Sequence, residues 1–504
     1  MSESTKIAIA VFLSSAWVLW CVRLYARNVQ KKRNQTQVNH GADILVAYAS
    51  QSGSAQALAI KKANTLAAKG KVNLLPLDRV CRNTLNITQQ AHFVVSTYGQ
   101  GEPPDNGQRF YKDISTSKSK SSIELSHLRY SVTALGDSSY EHFCAFGHNL
   151  HQRLATLGAQ SQAEVVEIDS QVADNQEVVH DQNAGNEVNH QANWQLIERE
   201  CLNPNSASAP LYLLSFSIEQ GDDKTQPSWR AGDVIAIQPK HSQQTVDAWL
   251  QAHQLDGEKV IVKSGISKRL KQHLQSYVLP ELAPVAGFNQ ETWLNALSLL
   301  PKREYSIASA KHESQLKLIV RLQHQANGQL GLGSGWLTEH SQLGDITQGV
   351  IRSNTRCHIN DVSRPLLLIG AGSGLAGLRA QLAERAVHPK AGPVWMFYGE
   401  RSPQDDAMLQ KELVQWQKQG VIEHLHLAYS QDPYKPKYVQ DLMQQYLVQI
   451  KAFVEREQGQ NADIYICGNK AGMGDSVHQL LNQHLGQDKV SALLASGRYR
   501  RDLY

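Results

Sequence analysis

From residue 43 onward the chain alternates short apolar runs with stretches of helix length, and that alternation restricts the fold more than any other feature. Ile44-Leu45-Val46-Ala47-Tyr48-Ala49 reads as a buried strand. It leads through Ser50-Gln51-Ser52-Gly53-Ser54-Ala55 into a helix predicted through Lys69. Further strands are predicted at 72–77, 93–97, 130–135 and 163–168, with helices near 107–115 and 145–157. Strands joined by helical crossovers pair in parallel, and a parallel sheet gathers its ligand loops at the strands' C-terminal ends.

Three loops of this region carry chemistry. Ser50 to Ala55 is rich in hydroxyls and opens a helix, so backbone N–H groups and side chains there suit a phosphate without a lysine. Ser96-Thr97-Tyr98-Gly99-Gln100-Gly101-Glu102-Pro103-Pro104-Asp105-Asn106 and Leu135-Gly136-Asp137-Ser138-Ser139-Tyr140-Glu141-His142-Phe143-Cys144 follow two other strands. Each brings an aromatic to the same sheet edge, where a planar ring can be stacked between them. Alone, the first loop is no more than a helix N-cap. Three such loops in order, each after a strand, point to one flat, phosphorylated ligand.

A second chemistry-bearing stretch is Arg303-Glu304-Tyr305-Ser306-Ile307-Ala308-Ser309. Arg303 offers a fork of donors suited to a pyrophosphate. Tyr305 lies on the same side of a strand, where its ring can flank a flat cofactor. Taken alone the segment is an ordinary hairpin with an exposed Arg. The glycine-rich turn Gly331-Leu332-Gly333-Ser334-Gly335-Trp336-Leu337 follows it and can bring backbone N–H groups against a phosphate.

Farther on, Pro365-Leu366-Leu367-Leu368-Ile369-Gly370-Ala371-Gly372-Ser373-Gly374-Leu375 is an apolar strand, a glycine turn and a helix start. G-x-G-x-G alone is as often a plain tight turn. Later strands end in Phe397-Tyr398-Gly399-Glu400-Arg401-Ser402, Ala428-Tyr429-Ser430-Gln431 and Ile464-Tyr465-Ile466-Cys467-Gly468. The chain closes on Gly497-Arg498-Tyr499-Arg500-Arg501-Asp502-Leu503-Tyr504.

These motifs resemble those of the diflavin reductases, a group that includes the sulfite reductase flavoprotein subunit and membrane-anchored NADPH–haemoprotein reductases. The resemblance implies a flavodoxin-like α/β FMN domain joined to a ferredoxin–NADP reductase-like module, itself an antiparallel β-barrel for FAD plus an α/β domain for NADP(H). The implied FMN residues are Ser50, Gln51, Ser52, Gly53, Ser54, Ala55, Ser96, Thr97, Tyr98, Gly99, Gly101, Leu135, Gly136, Asp137, Tyr140, Phe143 and Asp169, with Tyr98 and Tyr140 flanking the ring. Those for FAD are Arg303, Tyr305, Ser306, Gly331, Leu332, Gly333, Ser334 and Tyr504, the last aromatic covering the ring and moving aside for nicotinamide. For NADPH they are Gly372, Ser373, Gly374, Arg401, Ser430, Lys435, Lys437, Tyr438, Gln440, Cys467 and Asp475. Ser306, Cys467 and Asp502 would line the hydride-transfer site. The chain departs from the family at the 2′-phosphate, where Gln431 replaces an Arg and Pro436 a Lys.

The ends and joints complete the expected organisation. Residues 7–22 carry no charge, Trp17, Trp20 and Tyr25 lie toward their C-terminal side, and Arg23, Arg27, Lys31, Lys32 and Arg33 follow. This predicts one transmembrane anchor with the catalytic domains in the cytoplasm. The expected domains are an anchor at 1–25, a tether at 26–42, the FMN domain at 43–169, a linker at 170–193, the FAD barrel at 194–361 and the NADP(H) domain at 362–504. Within the barrel an abbreviated connecting insert is expected at about 240–300, with amphipathic stretches near 244–254, 267–277 and 291–299. The linker is rich in Gln, Asn and His, and a flexible chain of its length spans roughly 25–30 Å.

Composition narrows the function. A net charge of +4 with no long basic arm gives no case for nucleic acid. The six cysteines form no C-x-x-C pair, and His151, His180 and His190 are irregularly spaced, so no metal site is expected. The reading is an oxidoreductase that passes electrons from NADPH through FAD and FMN to a one-electron acceptor, such as a haem or sirohaem protein. A ferric-chelate or quinone reductase at the membrane is the alternative enzyme, and a flavin-based redox-sensing scaffold the non-enzymatic one.

Overall fold

The first sheet is built from runs too apolar to face water on either side. In a computed structural model its strands are β1 (Ile44–Ala49), β2 (Val72–Pro76), β3 (Gln90–Ser96), β4 (Arg129–Gly136), β5 (Gln160–Ser161) and β6 (Val166–Asp169). They pair in parallel in the order β2-β1-β3-β4, with β5 and β6 both on β4. Alternate residues feed two cores, as a pleat requires. Leu45, Ala47, Phe93 and Val95 enter one; Val46 and Val94 enter the other. Helix α1 (Ser54–Ala67) lays Ala55, Ala59 and Ala63 against the second face at helical spacing. Helices α2 (Asp105–Ser115) and α3 (Ala145–Thr156) follow β3 and β4.

The structure describes residues 44–504 apart from 51–53, 69, 98–100, 116–123, 137–141, 170–190, 220–226, 264–265, 283–288, 326, 434–435 and 456–460. It divides into two units, Met1–Ser170 and Gln171–Tyr504. The expected anchor, tether and most of the linker lie outside the described residues. Among the described residues no helix is long and apolar enough to cross a membrane. Two local expectations change. Helix α1 stops at Ala67 rather than Lys69. The strand expected at 163–168 starts only at Val166 as β6; ahead of it Ser161, at the end of the short β5, donates its Oγ to the Ala163 carbonyl (2.6 Å) in a turn.

The second unit opens with antiparallel strands β7 (Gln191–Cys201), β8 (Leu211–Ile218) and β9 (Val234–Ile237). An insert follows: helix α4 (Gln243–Ala252), the hairpin β10 (Val260–Lys263) and β11 (Ile266–Arg269), helix α5 (Leu270–Leu274) and helix α6 (Gln290–Ala296). Val246, Leu250, Ile261, Leu270, Leu274 and Leu294 give it a small core of its own. The stretch 267–277 therefore begins as strand, turns into the short helix Leu270–Leu274 and ends in a turn. Its first residues pair across the hairpin with Val260–Lys263. Strands β12 (Arg303–Ser306), β13 (Leu316–Arg321) and β14 (Ile346–Arg352) complete a sheet ordered β12-β9-β14-β7-β8-β13. The bridge between Ile307 and Leu318 joins its two ends, so the sheet closes into a barrel.

A five-stranded parallel sheet ends the chain: β15 (Leu366–Ala371), β16 (Val394–Glu400), β17 (Ile422–Tyr429), β18 (Asp463–Gly468) and β19 (Tyr499–Leu503). Its order is β17-β16-β15-β18-β19. The chain steps outward from β15 in one direction, then crosses back to build β18 and β19 on the other side. The crevice between β15 and β18 is thus the point of reversal where such sheets bind ligands. Helix α7 (Leu332–Gly335) lies in the barrel; α8 (Leu375–Ala386) and α9 (Asp475–Leu485) flank this sheet.

Candidate functional site

In the first unit the loops at the strand ends are tied by neutral hydrogen bonds. Ser50 Oγ accepts from the Ala55 N–H (3.2 Å), capping the turn into α1. Asn106 Oδ1 accepts from the Ser50 N–H (3.1 Å), so the second loop braces the first. Thr97 Oγ1 accepts from the Phe146 N–H (3.2 Å), bracing it against the third. Cys144 is buried, its thiol donates to the Ala134 carbonyl (3.3 Å), and burial with the nearby Glu167 charge pushes it up to about 12. It is an inert packing thiol. Ser50, Ser54, Ala55, Ser96, Thr97, Gly101, Leu135, Gly136, Phe143 and Asp169 all lie on this edge at the C-terminal ends of β1, β3, β4 and β6. Gln51, Ser52, Gly53, Tyr98, Gly99, Asp137 and Tyr140 fall outside the described residues.

In the second unit, β12 brings Arg303 and Tyr305 against the glycine turn. A Cβ on Gly333 would come 2.4 Å from Tyr305 Oη and 2.8 Å from Arg303 Cγ, so only glycine lets the turn approach that closely. Ser334 Oγ accepts from the Gln323 N–H (3.1 Å), and Gly331 caps α7 just before Leu332. The Arg, the Tyr and the turn therefore form one surface, although some twenty-five residues of chain separate them.

Beside it a buried carboxylate collects three donors. Asp502 Oδ2 accepts from Ser306 Oγ (2.8 Å), Tyr465 Oη (3.0 Å) and Cys467 Sγ (3.4 Å). Ser306 belongs to the barrel, whereas Cys467 and Asp502 face each other in register on β18 and β19. Burial raises the Asp502 carboxyl above its usual range, and the three donors pull it part of the way back. Burial, then the Asp502 charge, pushes the Cys467 thiol far up. Cys467 is thus a neutral donor and not a thiolate nucleophile.

The reversal crevice adjoins this cluster. Gly372 has φ +58°, and a Cβ on Gly374 would fall 2.0 Å from the Cys467 carbonyl oxygen. The turn therefore lies flat on the end of β18, just ahead of α8. Tyr504 Oη and Ser373 Oγ share a hydrogen bond of 2.6 Å across it, and the Tyr504 ring is 55% exposed. Arg321 of β13 pairs with the buried Glu400 (3.2 Å), whose carboxyl is raised by burial and lowered again by that guanidinium. Past Glu400, Arg401 is exposed and its carbonyl accepts from the Gln431 N–H (2.8 Å). That bond sets Ser430 and Gln431 beside it. Lys437 and Tyr438 are exposed just ahead of the helix Val439–Gln444 that carries Gln440. Lys435 lies outside the described residues. Asp475, at the head of α9, accepts from Arg501 (3.3 Å).

Sequence reasoning passed over Tyr465, Arg321 and Glu400. Tyr465 had a signal: it stands two residues before Cys467 on a strand, hence on the same face. The Arg321–Glu400 pair joins residues 79 apart and had none. Among the described residues no group of three or more His, Cys, Asp or Glu is placed to hold a metal ion.

A family model described as flavodoxin matches residues 46–181, and one described as an oxidoreductase NAD-binding domain matches 368–479. Similar curated proteins are sulfite reductase [NADPH] flavoprotein alpha-components. That of Bacillus subtilis is 25% identical, covering 92% of this chain and 89% of its own length. That of Vibrio cholerae (El Tor Inaba) is 25% identical over 93% and 89%, and that of a Shewanella species (strain ANA-3) 25% over 98% and 96%. The alignment with the Bacillus protein runs over 550 positions, more than the 504 residues present here, so that relative carries segments this chain lacks.

Proposed function

We propose that the chain works as a diflavin reductase, taking hydride from NADPH at the barrel–nucleotide crevice and delivering single electrons from the flavodoxin unit. FAD and FMN, when bound, convert the two-electron donor into one-electron steps. The protein supplies the positions. One observation carries the reading. Ser306, from the barrel, meets Asp502 across 196 residues of sequence, at the crevice that also holds the Gly372 turn and Cys467.

In this reading the residues take the following roles. Arg303 and the Gly331–Ser334 turn hold the FAD pyrophosphate, and Tyr305 and Tyr504 take the two sides of its ring. Gly372, Ser373 and Gly374 hold the nucleotide's pyrophosphate, while Arg401, Ser430, Lys437, Tyr438 and Gln440, with Lys435, receive the 2′-phosphate. Ser306 and Cys467 contact the reacting rings. Asp502, ionised, offsets the positive charge that develops on nicotinamide as hydride leaves. In the other unit the Ser50–Ala55 turn holds the FMN phosphate, and the two aromatic loops hold its ring.

The acceptor is a haem or sirohaem protein; the relatives are named as components of sulfite reductase. The uncharged run at residues 7–22 supports an anchor that ties the reductase to a membrane, with its catalytic domains cytoplasmic. The same run favours a second reading, a ferric-chelate or quinone reductase at that membrane. Steady-state assays of the full chain and of a form lacking residues 1–28 test these proposals together. Both forms should reduce ferricyanide with NADPH, and only the full chain should sediment with membranes. Failure of both to oxidise NADPH contradicts the reductase; a full chain that does not sediment with membranes contradicts the anchor.

A further inference from the structure

The three donors on Asp502 Oδ2 are not equivalent. Ser306 and Cys467 lie at the ligand end of their strands, where the proposed chemistry needs them against the reacting rings. Tyr465 stands two residues deeper in β18, one pleat repeat or about 6.6 Å from that end. It is fully buried, and the Asp502 carboxylate is its one hydrogen-bond partner among the described residues (3.0 Å). The space its hydroxyl occupies exists because residue 377 is glycine. A Cβ there would come 2.6 Å from Tyr465 Oη and 2.9 Å from Cys467 Sγ.

We propose that Tyr465 is a positioning residue: its hydrogen bond holds the Asp502 carboxylate in place while Ser306 and Cys467 turn to the ligand. The inference rests on the functional reading above, which gives Asp502 its role. A buried carboxylate that lost two donors at once would swing or take up a proton, and an oriented charge is what the transfer requires. Tyr465 prevents both from a distance, without touching substrate.

The groups facing Asp502 are few. Tyr465 and Cys467 come from β18, Cys357 from the segment ahead of β15, and Tyr504 from the chain end. Burial pushes the Tyr465 hydroxyl and the Cys357 and Cys467 thiols well above their ordinary values. Arg500, two residues back on β19, is engaged by the His358 carbonyl (2.9 Å) and Asp463 (3.3 Å). Asp502 is the one carboxyl of this cluster, raised by burial and drawn part of the way back by its three donors.

Thermal melting of the purified flavoprotein across pH 5–9, followed by FAD release, is the test. Without the Tyr465 hydroxyl the carboxylate holds its proton to higher pH, so Tyr465→Phe loses stability faster than wild type as pH rises. The gap in Tm should be smallest at the acid end and widen by about 3–5 °C as the carboxyl ionises. In an Asp502→Asn background the widening should vanish. Gly377→Ala, which displaces the hydroxyl by another route, should reproduce it. The turnover number with NADPH should fall about tenfold in Tyr465→Phe, with KM within about twofold. A Tm gap equal at every pH would make Tyr465 a packing residue and overturn the inference alone. A wild type that does not reduce its flavin with NADPH would overturn the functional reading and this inference with it.

Discussion

The two parallel sheets of this chain are built alike and charged differently. Each carries its ligand loops at the C-terminal ends of the strands, and each buries both faces. Yet among the described residues of the flavodoxin unit no Asp, Glu, Lys or Arg is buried, and His92 is the one buried ionisable group besides cysteine and tyrosine. Among the described residues of the reductase half ten Asp, Glu, Lys or Arg side chains are buried, besides His273 and His358: Asp233, and from the nucleotide fold Arg379, Arg385, Glu400, Asp406, Asp463, Lys470, Arg500, Arg501 and Asp502. Passing single electrons asks a site to hold a ring and expose its edge. Accepting hydride asks it to place a charge beside a developing cation, and charges keep their positions best where water is excluded. The cost of burying them falls on stability, so the half that performs the more demanding chemistry is also the more sensitive to pH.

The largest effect that separates the two halves is on rate. Asp502→Asn should cut hydride acceptance from NADPH about 10²–10³-fold in stopped-flow flavin reduction, while the FMN content stays unchanged. Equal loss of FMN would erase the distinction between the halves.

Nucleotide choice comes next. On the proposed placement of the 2′-phosphate, Gln431 stands where the family carries a guanidinium, and one lost charge-assisted bond costs roughly 1.5–3 kcal/mol, about one to two decades of preference. On the same placement Arg401, whose backbone carbonyl meets the Gln431 N–H, would restore part of it. NADPH should therefore be preferred, less strongly than is usual for the family. Arg401→Ala should raise KM for NADPH far more than for NADH, and Gln431→Arg should sharpen the preference. Steady-state kinetics with both nucleotides decide it, and an equal effect of Arg401→Ala on the two contradicts the placement. Removing Tyr504 should tighten nicotinamide binding and relax the same choice, measured by NAD⁺ and NADP⁺ titration.

A smaller effect is expected at the FAD turn. Gly333→Ala drives a Cβ into Tyr305 Oη and Arg303 Cγ and should weaken FAD binding about tenfold, leaving FMN in place. Flavin chromatography of the purified variant reads both sites at once.

The smallest is on stability. Asp502, Glu400 and Asp463 all have carboxyls raised by burial, so in the folded protein they hold protons that the unfolded chain releases. Their contribution is greatest in acid and is lost as pH rises from the ordinary carboxylate range through the raised values. His92 acts oppositely in the flavodoxin unit. Burial, helped by Lys62, lowers it to about 4, so it destabilises that unit as pH falls from 6.5 toward 4. Melting curves should show the reductase transition falling toward alkaline pH and the flavodoxin transition falling toward acid. Asp502→Asn should raise the former by roughly 1–2 kcal/mol at pH 8. Two transitions that move together contradict the assignment.

What the sequence showed depended on how far apart the partners lie. The apolar run Ile44–Ala49 and the hydroxyl turn after it are neighbours, so strand, loop and helix were legible from local pattern. Arg303 and the Gly331 turn belong together through a sheet edge, and family resemblance rather than spacing joined them. The Arg379 guanidinium shows what no pattern reveals. It bonds Glu412 of its own fold and Glu313 and the Ala308 carbonyl of the barrel, clamping the segment two residues after Ser306. Its sequence context is a helix rich in Ala and Leu that is buried on nearly every side. The insert differed in detail: the amphipathic stretch 267–277 begins inside strand Ile266–Arg269, which finds a hairpin partner in Val260–Lys263.

The account stands on two flavin sites of different kind in one chain. Acid extraction of the purified full-length protein, with chromatographic separation and quantitation of the flavins, tests that most directly. Equal amounts of FMN and FAD, about one of each per chain, are the predicted result; a single flavin type would contradict it.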